Sequence, residues 1–223
     1  MSSNLAGRTS FFIHIAKIIL SKNPSWHTGG TIAYGKRDNS GTIRTLTDFL
    51  RQAPTQDEDF KVLQFLSIRT FNGFAASIKL ALSGYSQNGA LLMRDILETV
   101  FLTDMFNKDR TTIKQWREAN SAKEKDKFRP IKVHKFLDAH DSFTGEKRAA
   151  TYKMFCELAG HPSMHSIHML RPQVGGDAVG GPFIEFKMLQ AVLSEMTKLA
   201  IQVGEISSDF FPNDSKAHIL RSP

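Results

Sequence analysis

Between residues 87 and 106 the chain is apolar on nearly every side of a helix, through Leu91, Leu92, Met93, Ile96, Leu97, Val100, Phe101, Leu102, Met105 and Phe106. A helix without a polar face has to be surrounded, so this segment belongs in the middle of a bundle. Arg94, Asp95 and Glu98 interrupt it. An unpaired buried ion costs several kcal/mol, so these charges must be paired or must line a cavity.

The flanking sequence supplies the surrounding helices. Thr55-Gln-Asp-Glu58 has the form of a capping box. Phe60, Leu63, Leu66, Phe71, Phe74, Ile78 and Leu82 then keep helical spacing up to a break at Ser83-Gly84-Tyr85. Shorter helices are predicted over 111–120, over 130–141 with Pro130 in its first turn, and over 146–159. A final helix is predicted over 185–210, with the stripe Met188, Val192, Met196, Leu199 and Val203. Before it, residues 169–186 carry Gly175-Gly176 and Gly180-Gly181, the mark of a Gly-rich loop or small β-hairpin excursion. The expected fold class is all-α, a helical bundle of five to seven helices.

With 41% hydrophobic residues in 223, one compact core is expected. Residues 55–211 form this bundle domain. Residues 1–54 read as an N-terminal helix plus loop-rich arm, and 212–223 as a flexible tail. The apolar run 11–20 is too short for a membrane span; Phe11, Phe12, Ile15, Ile18 and Ile19 form one helical face suited to docking on the protein body. The expectation is therefore no membrane. A single cysteine, Cys156, excludes an internal disulfide framework and fits a cytoplasmic setting, with its thiol packed as a small hydrophobe.

The net charge of +7 is regional. Residues 108–153 contain 13 basic and 7 acidic side chains, whereas 51–107 are close to neutral. Lys123, Lys125, Lys127, Arg129 and Lys132 are candidates for holding the phosphates of RNA or a nucleotide. Interleaved as they are with Glu124 and Asp126, the same residues also suit a plain solvated surface.

Arg94 and Glu98, four residues apart, share a helix face and offer either a helix clamp or one wall of a polar pocket. Residues 152–168 offer the other wall, through Tyr152, Glu157, His161 and Ser163. Arg94 is the candidate anion holder, and His161, at a helix junction formed by Gly160 and Pro162, is a candidate acid or base. Arg94, Glu98, Glu157 and His161 are thus the candidate catalytic set. His161, His165 and His168 have spacings that could face one way, but the duplicated Glu-x-x-His pattern of carboxylate-bridged iron sites is absent, so neither a metal nor a cofactor is assigned. Phosphate-binding glycine loops of the usual kinds are also absent.

The combination of Leu-Met-Arg94-Asp-Ile-Leu-Glu98, Tyr152, Leu-Ala-Gly-His161-Pro-Ser and a Gly-Pro-Phe segment before the last helix resembles an uncharacterised family of bacterial all-helical proteins related to the HEPN (higher eukaryotes and prokaryotes nucleotide-binding) superfamily. The resemblance covers roughly residues 55–210. It implies RNA or nucleotide binding in a stress or defence setting, often by a homodimer. RNA-cutting members of that superfamily use Arg-x(4–6)-His without metal. Two segments here have that spacing, Arg129 to His134 and Arg8 to His14, and chance alone predicts about as many. The alternative is a non-enzymatic interaction or dimerisation protein in which the Arg/Glu/His cluster is structural.

Overall fold

The computed structural model describes residues 55–173 and 175–210, the side chains of 207–210 excepted. The expected N-terminal helix and arm, the tail and the Arg8 to His14 segment lie outside these residues. Seven α-helices follow in order: α1 Glu58–Leu82, α2 Ser86–Lys108, α3 Thr111–Glu118, α4 Ala122–Asp126, α5 Pro130–His140, α6 Lys147–Phe155 and α7 Phe186–Phe210. A π-helical turn, Cys156–Gly160, extends α6, and a 3-10 helix spans His165–Leu170. No strand occurs among the described residues, so the excursion before α7 takes the loop form rather than the hairpin.

The all-round apolar helix is the centre of the bundle. α2 packs against α1, α3, α5, α6, the π-helical turn, the 3-10 helix and α7. Met93, Ile96, Leu97 and Met105 are almost wholly enclosed, each contributing about 1.5–3 kcal/mol of burial. They belong to a large apolar cluster that also takes in Phe74, Leu137, Phe155 and Met196. A smaller cluster of Val62, Leu63, Leu66, Phe106 and Ile113 sits at the other end of the α1–α2 pair. Leu102, Phe128 and Ile206 pack against both.

The α1–α2 hairpin turns through a Schellman arrangement: the Tyr85 N–H donates to the Leu80 carbonyl and the Gly84 N–H to the Ala81 carbonyl. Gly84 has φ +83°, and a Cβ there would lie 2.7 Å from the Phe183 backbone nitrogen. The Phe183 N–H donates to the Gly84 carbonyl at 3.2 Å, which ties the Gly-rich excursion back to this turn. Beside it, buried Ser77 donates to the Gly89 carbonyl at 2.8 Å, where small residues let the two helices approach.

One cap differs from expectation. Asp57, not Thr55, caps α1: its Oδ1 accepts from the Asp59 and Phe60 amides at 2.9 and 3.2 Å, while Thr55 accepts from Asp57 instead. A carboxylate competes better than a hydroxyl for the positive end of the helix. A full capping box forms at Ser121 and Glu124, opening the short α4, a helix that hydrophobic periodicity does not separate from its surroundings.

Candidate functional site

Glu98 is the junction of the predicted polar cluster. Its Oε1 accepts from Arg94 Nε at 3.0 Å and from Tyr152 Oη at 2.9 Å, and Arg94 NH2 stands 2.9 Å away. Spacing of four residues puts Arg94 and Glu98 on one face of α2, and α6 brings Tyr152 across to them. The Arg94 guanidinium lies 5.7 Å from the Tyr152 ring centre. It also presses on the π-helical turn, where a Cβ on Gly160 would lie 2.9 Å from Arg94 NH1. Burial pushes the Tyr152 hydroxyl well above its ordinary value, and the hydrogen bond to Glu98 adds to this, so Tyr152 is a held proton donor. Burial would lower Arg94, but the hydrogen bond and charge of Glu98 outweigh it and raise the guanidinium further.

Glu157 and His161 stand apart from this cluster. The Glu157 carboxylate pairs with Lys153 at 3.6 Å on the outer surface. His161 is exposed, as are His165 and His168. The cause is the π-helical turn, in which the His161 N–H reaches the Cys156 carbonyl five residues back. One extra residue per turn rotates the chain beyond it by about 100° relative to a regular helix. Ser163 is spent on local bonding, donating to the Glu157 carbonyl at 2.6 Å. No group of three His, Cys, Asp or Glu among the described residues is arranged to hold a metal ion.

Glu98 also lines a cavity of about 280 Å³ at the seam between the two apolar clusters. Leu66, Phe101, Leu102 and Val133 form its apolar wall, with Trp116 and Phe128 as aromatic panels. Arg69, Asp95, Thr99 and His134 supply further polar groups. Arg69 and Asp95 pair with each other through Asp95 Oδ1, and the half-exposed Arg69 side chain marks the open side. Thr99 donates its hydroxyl to the Asp95 carbonyl at 2.9 Å.

His134 is the most confined ionisable group here, only 3% exposed. Phe101 and Tyr152 meet it edge-on at 4.9 and 5.1 Å between ring centres. Its Nε2 is enclosed without a hydrogen-bond partner among the described residues. Burial lowers its pKa, more than the nearby Asp138 and Glu98 raise it. Arg129, its partner in the Arg-x(4)-His segment, is 70% exposed, pairs with Asp126 at 3.1 Å and does not line the cavity.

The basic segment begins at the cavity wall. Lys127 and Arg129 flank Phe128 in the chain, and Lys127 Nζ stands 5.9 Å from the Phe128 ring centre while also donating to Gln115. Lys114, Lys123, Lys125, Lys132 and Lys135 are exposed and make no ion pair with a described residue. Sequence reasoning singles out Asp95, Tyr152 and the lysines, but not the cavity. The available signal is two large aromatics, Trp116 and Phe128, inside an otherwise polar and basic stretch.

A second polar cluster is a brace. Arg148 on α6 donates to Asp138 at 2.6 Å and to Asp141, and Lys108 at the end of α2 reaches Asp141 at 3.2 Å. The Arg148 guanidinium also lies over the Phe143 ring.

No family model, curated protein or solved structure matches this chain.

Proposed function

We propose that this chain is a HEPN-like helical protein that binds RNA or a free nucleotide in a stress or defence setting, with phosphates held along the basic face of α3 to α5. The observation that carries this reading is the meeting of two features at Phe128: a run of exposed lysines without ion pairs to the described residues, and an aromatic-walled cavity whose size is near the small end of ligand sites, roughly 300–1,000 Å³. Lysines not locked into close ion pairs remain available to a phosphate, and flat rings offer a surface on which a base can stack. A fluorescently labelled single-stranded RNA should bind the full chain and be released by added salt. Absence of binding, or binding indifferent to salt, would overturn the proposal.

An observation of its own favours the second reading, a non-enzymatic interaction protein. The Arg94–Glu98–Tyr152 network joins α2 to α6, while Glu157 and His161 lie outside it. In this reading the network is a clamp, and the exposed Met164, Ile184 and Phe186 beside the excursion supply apolar surface for a homodimer. Concentration-independent monomeric mass by light scattering, together with salt-sensitive RNA binding, would reject it. Cleavage of the bound RNA in the presence of a chelator tests the ribonuclease form of the first reading.

A further inference from the structure

We infer that the cavity between α1, α2, α3 and α5 is a selective site for a nucleobase carrying an exocyclic amino group, such as cytosine or adenine, with Asp95 and Glu98 receiving its N–H donors. This deepens the nucleotide reading and rests on it.

Three residues of α2 that line the cavity, Asp95, Glu98 and Thr99, keep acceptor capacity, while His134 Nε2 accepts or donates according to its tautomer and Arg69 offers N–H groups at the open side. Asp95 and Glu98, three residues apart on α2, both line it. Each is engaged by an arginine through one oxygen only: Asp95 Oδ1 by Arg69, and Glu98 Oε1 by Arg94 and Tyr152. Asp95 Oδ2 and Glu98 Oε2 have no hydrogen bond to a described residue. Thr99 has used its proton on the Asp95 carbonyl, so it too can only accept. Arg69 gives its NH2 group to Asp95 Oδ1 at the open side, and Arg94, which does not line the cavity, is turned to Glu98.

A ligand has to match that pattern. Uracil and hypoxanthine offer this edge a single ring N–H flanked by carbonyl oxygen that the carboxylates repel, whereas an exocyclic amino group supplies two N–H donors, one for each carboxylate. Recognition through a missing or present donor discriminates far more strongly than recognition by size. The walls set the shape: Trp116 and Phe128 supply flat rings against which a base would stack, and Leu66, Phe101, Leu102 and Val133 supply apolar surface. Orientation is set by the charges, with the amino edge toward the carboxylates on α2 and the phosphate toward Lys127 and the exposed lysines beside it. The absence of any three-ligand metal arrangement among the described residues disfavours an inorganic cation as occupant.

The test is calorimetric titration of the full chain with cytidine and uridine 5′-monophosphates, and with adenosine and inosine 5′-monophosphates. The amino-bearing member of each pair should bind at least tenfold more tightly. Equal affinity within both pairs, alongside salt-sensitive RNA binding, would overturn this inference and leave the proposed function standing. Failure of every nucleotide and of RNA to bind would overturn both. Spermidine is the control for a plain cation site: affinity equal to or above that of the cytidine nucleotide would overturn the base assignment. Phe128→Ala should weaken the cytidine nucleotide at least tenfold while the salt dependence of RNA binding is unchanged. If Phe128→Ala loses its helical circular dichroism, Leu102→Phe, which fills the cavity from an apolar wall, replaces it with the same expected loss; unaltered cytidine affinity in a folded variant would count against the site.

Discussion

Acidification from pH 7 toward pH 5 should destabilise the protein through His134. The imidazole is enclosed between Phe101 and Tyr152 with Nε2 unpartnered, and burial holds its pKa below the usual 6.5. Asp138 and Glu98 pull the value up and Arg148 opposes them, but burial prevails. In the unfolded chain the ring titrates normally. Below pH 6.5, then, the unfolded state binds a proton that the folded state refuses, and the equilibrium moves toward unfolding. The contribution of neutral His134 is intact above 6.5, falls across the interval down to the lowered folded value, and levels off below it. Its steepest slope is about 1.4 kcal/mol per pH unit. Asp141 acts in a separate window. Burial would raise it, but Arg148, Lys108 and His140 hold it below 3.8, so its contribution is present above 3.8 and is lost only as pH falls through the lowered value. Urea unfolding at pH 7.5, 6.5 and 5.5 for the native chain and for His134→Leu isolates the effect, since leucine has similar volume and no proton to bind. The native chain should lose up to about 1 kcal/mol per unit relative to the variant below pH 6.5. Parallel pH profiles for the two proteins would refute the reasoning.

Other perturbations address separate parts of the fold. Gly84→Ala forces a side chain into a left-handed conformation and against the Phe183 backbone; a loss of at least about 1–2 kcal/mol in urea unfolding is expected, with faster exchange of the Phe183 amide. Arg148→Met leaves Asp138 and Asp141, both largely buried, without their main cation. Because those carboxylates keep some solvent contact, the expected cost is about 2 kcal/mol rather than the 3–5 of a fully buried pair, read from the thermal midpoint. Tyr152→Phe removes one donor from Glu98 and should cost about 1 kcal/mol; in a double-mutant cycle with Glu98→Gln the two changes should be coupled, and strict additivity would argue against the hydrogen bond.

The arrangement of helices was legible because it rests on local periodicity. The segment now seen as α2 had no polar face, and α2 is indeed the helix that the others surround. The Ser83 to Tyr85 break was likewise readable, since a glycine at that place suits a left-handed turn. The Arg94–Glu98 pairing was visible from spacing along one helix. Apart from Tyr152 meeting Glu98, what escaped was set by register between helices. The π-helical turn after Phe155 adds a residue that no composition or spacing signals and turns His161 away from Glu98, while Glu157 points outward to Lys153 on α6 itself. His134 entered only as half of an Arg-x(4)-His spacing, whereas its burial depends on Phe101 and Tyr152 arriving from α2 and α6. The cavity escaped for the same reason, as its lining comes from four helices and the connection before α5.

The central claim is that phosphates are held by the exposed lysines of the α3 to α5 face. It is tested most directly by the slope of the logarithm of RNA affinity against the logarithm of salt concentration, for the native chain and for Lys123→Gln/Lys125→Gln/Lys132→Gln. These side chains are exposed and make no ion pair with a described residue, so their removal should leave the helices intact. Each phosphate contact to a single strand contributes about −0.7 to the slope. The account predicts a clear negative slope for the native chain and a slope shallower by about 2 for the triple variant. A flat slope, or equal slopes for the two proteins, would contradict it.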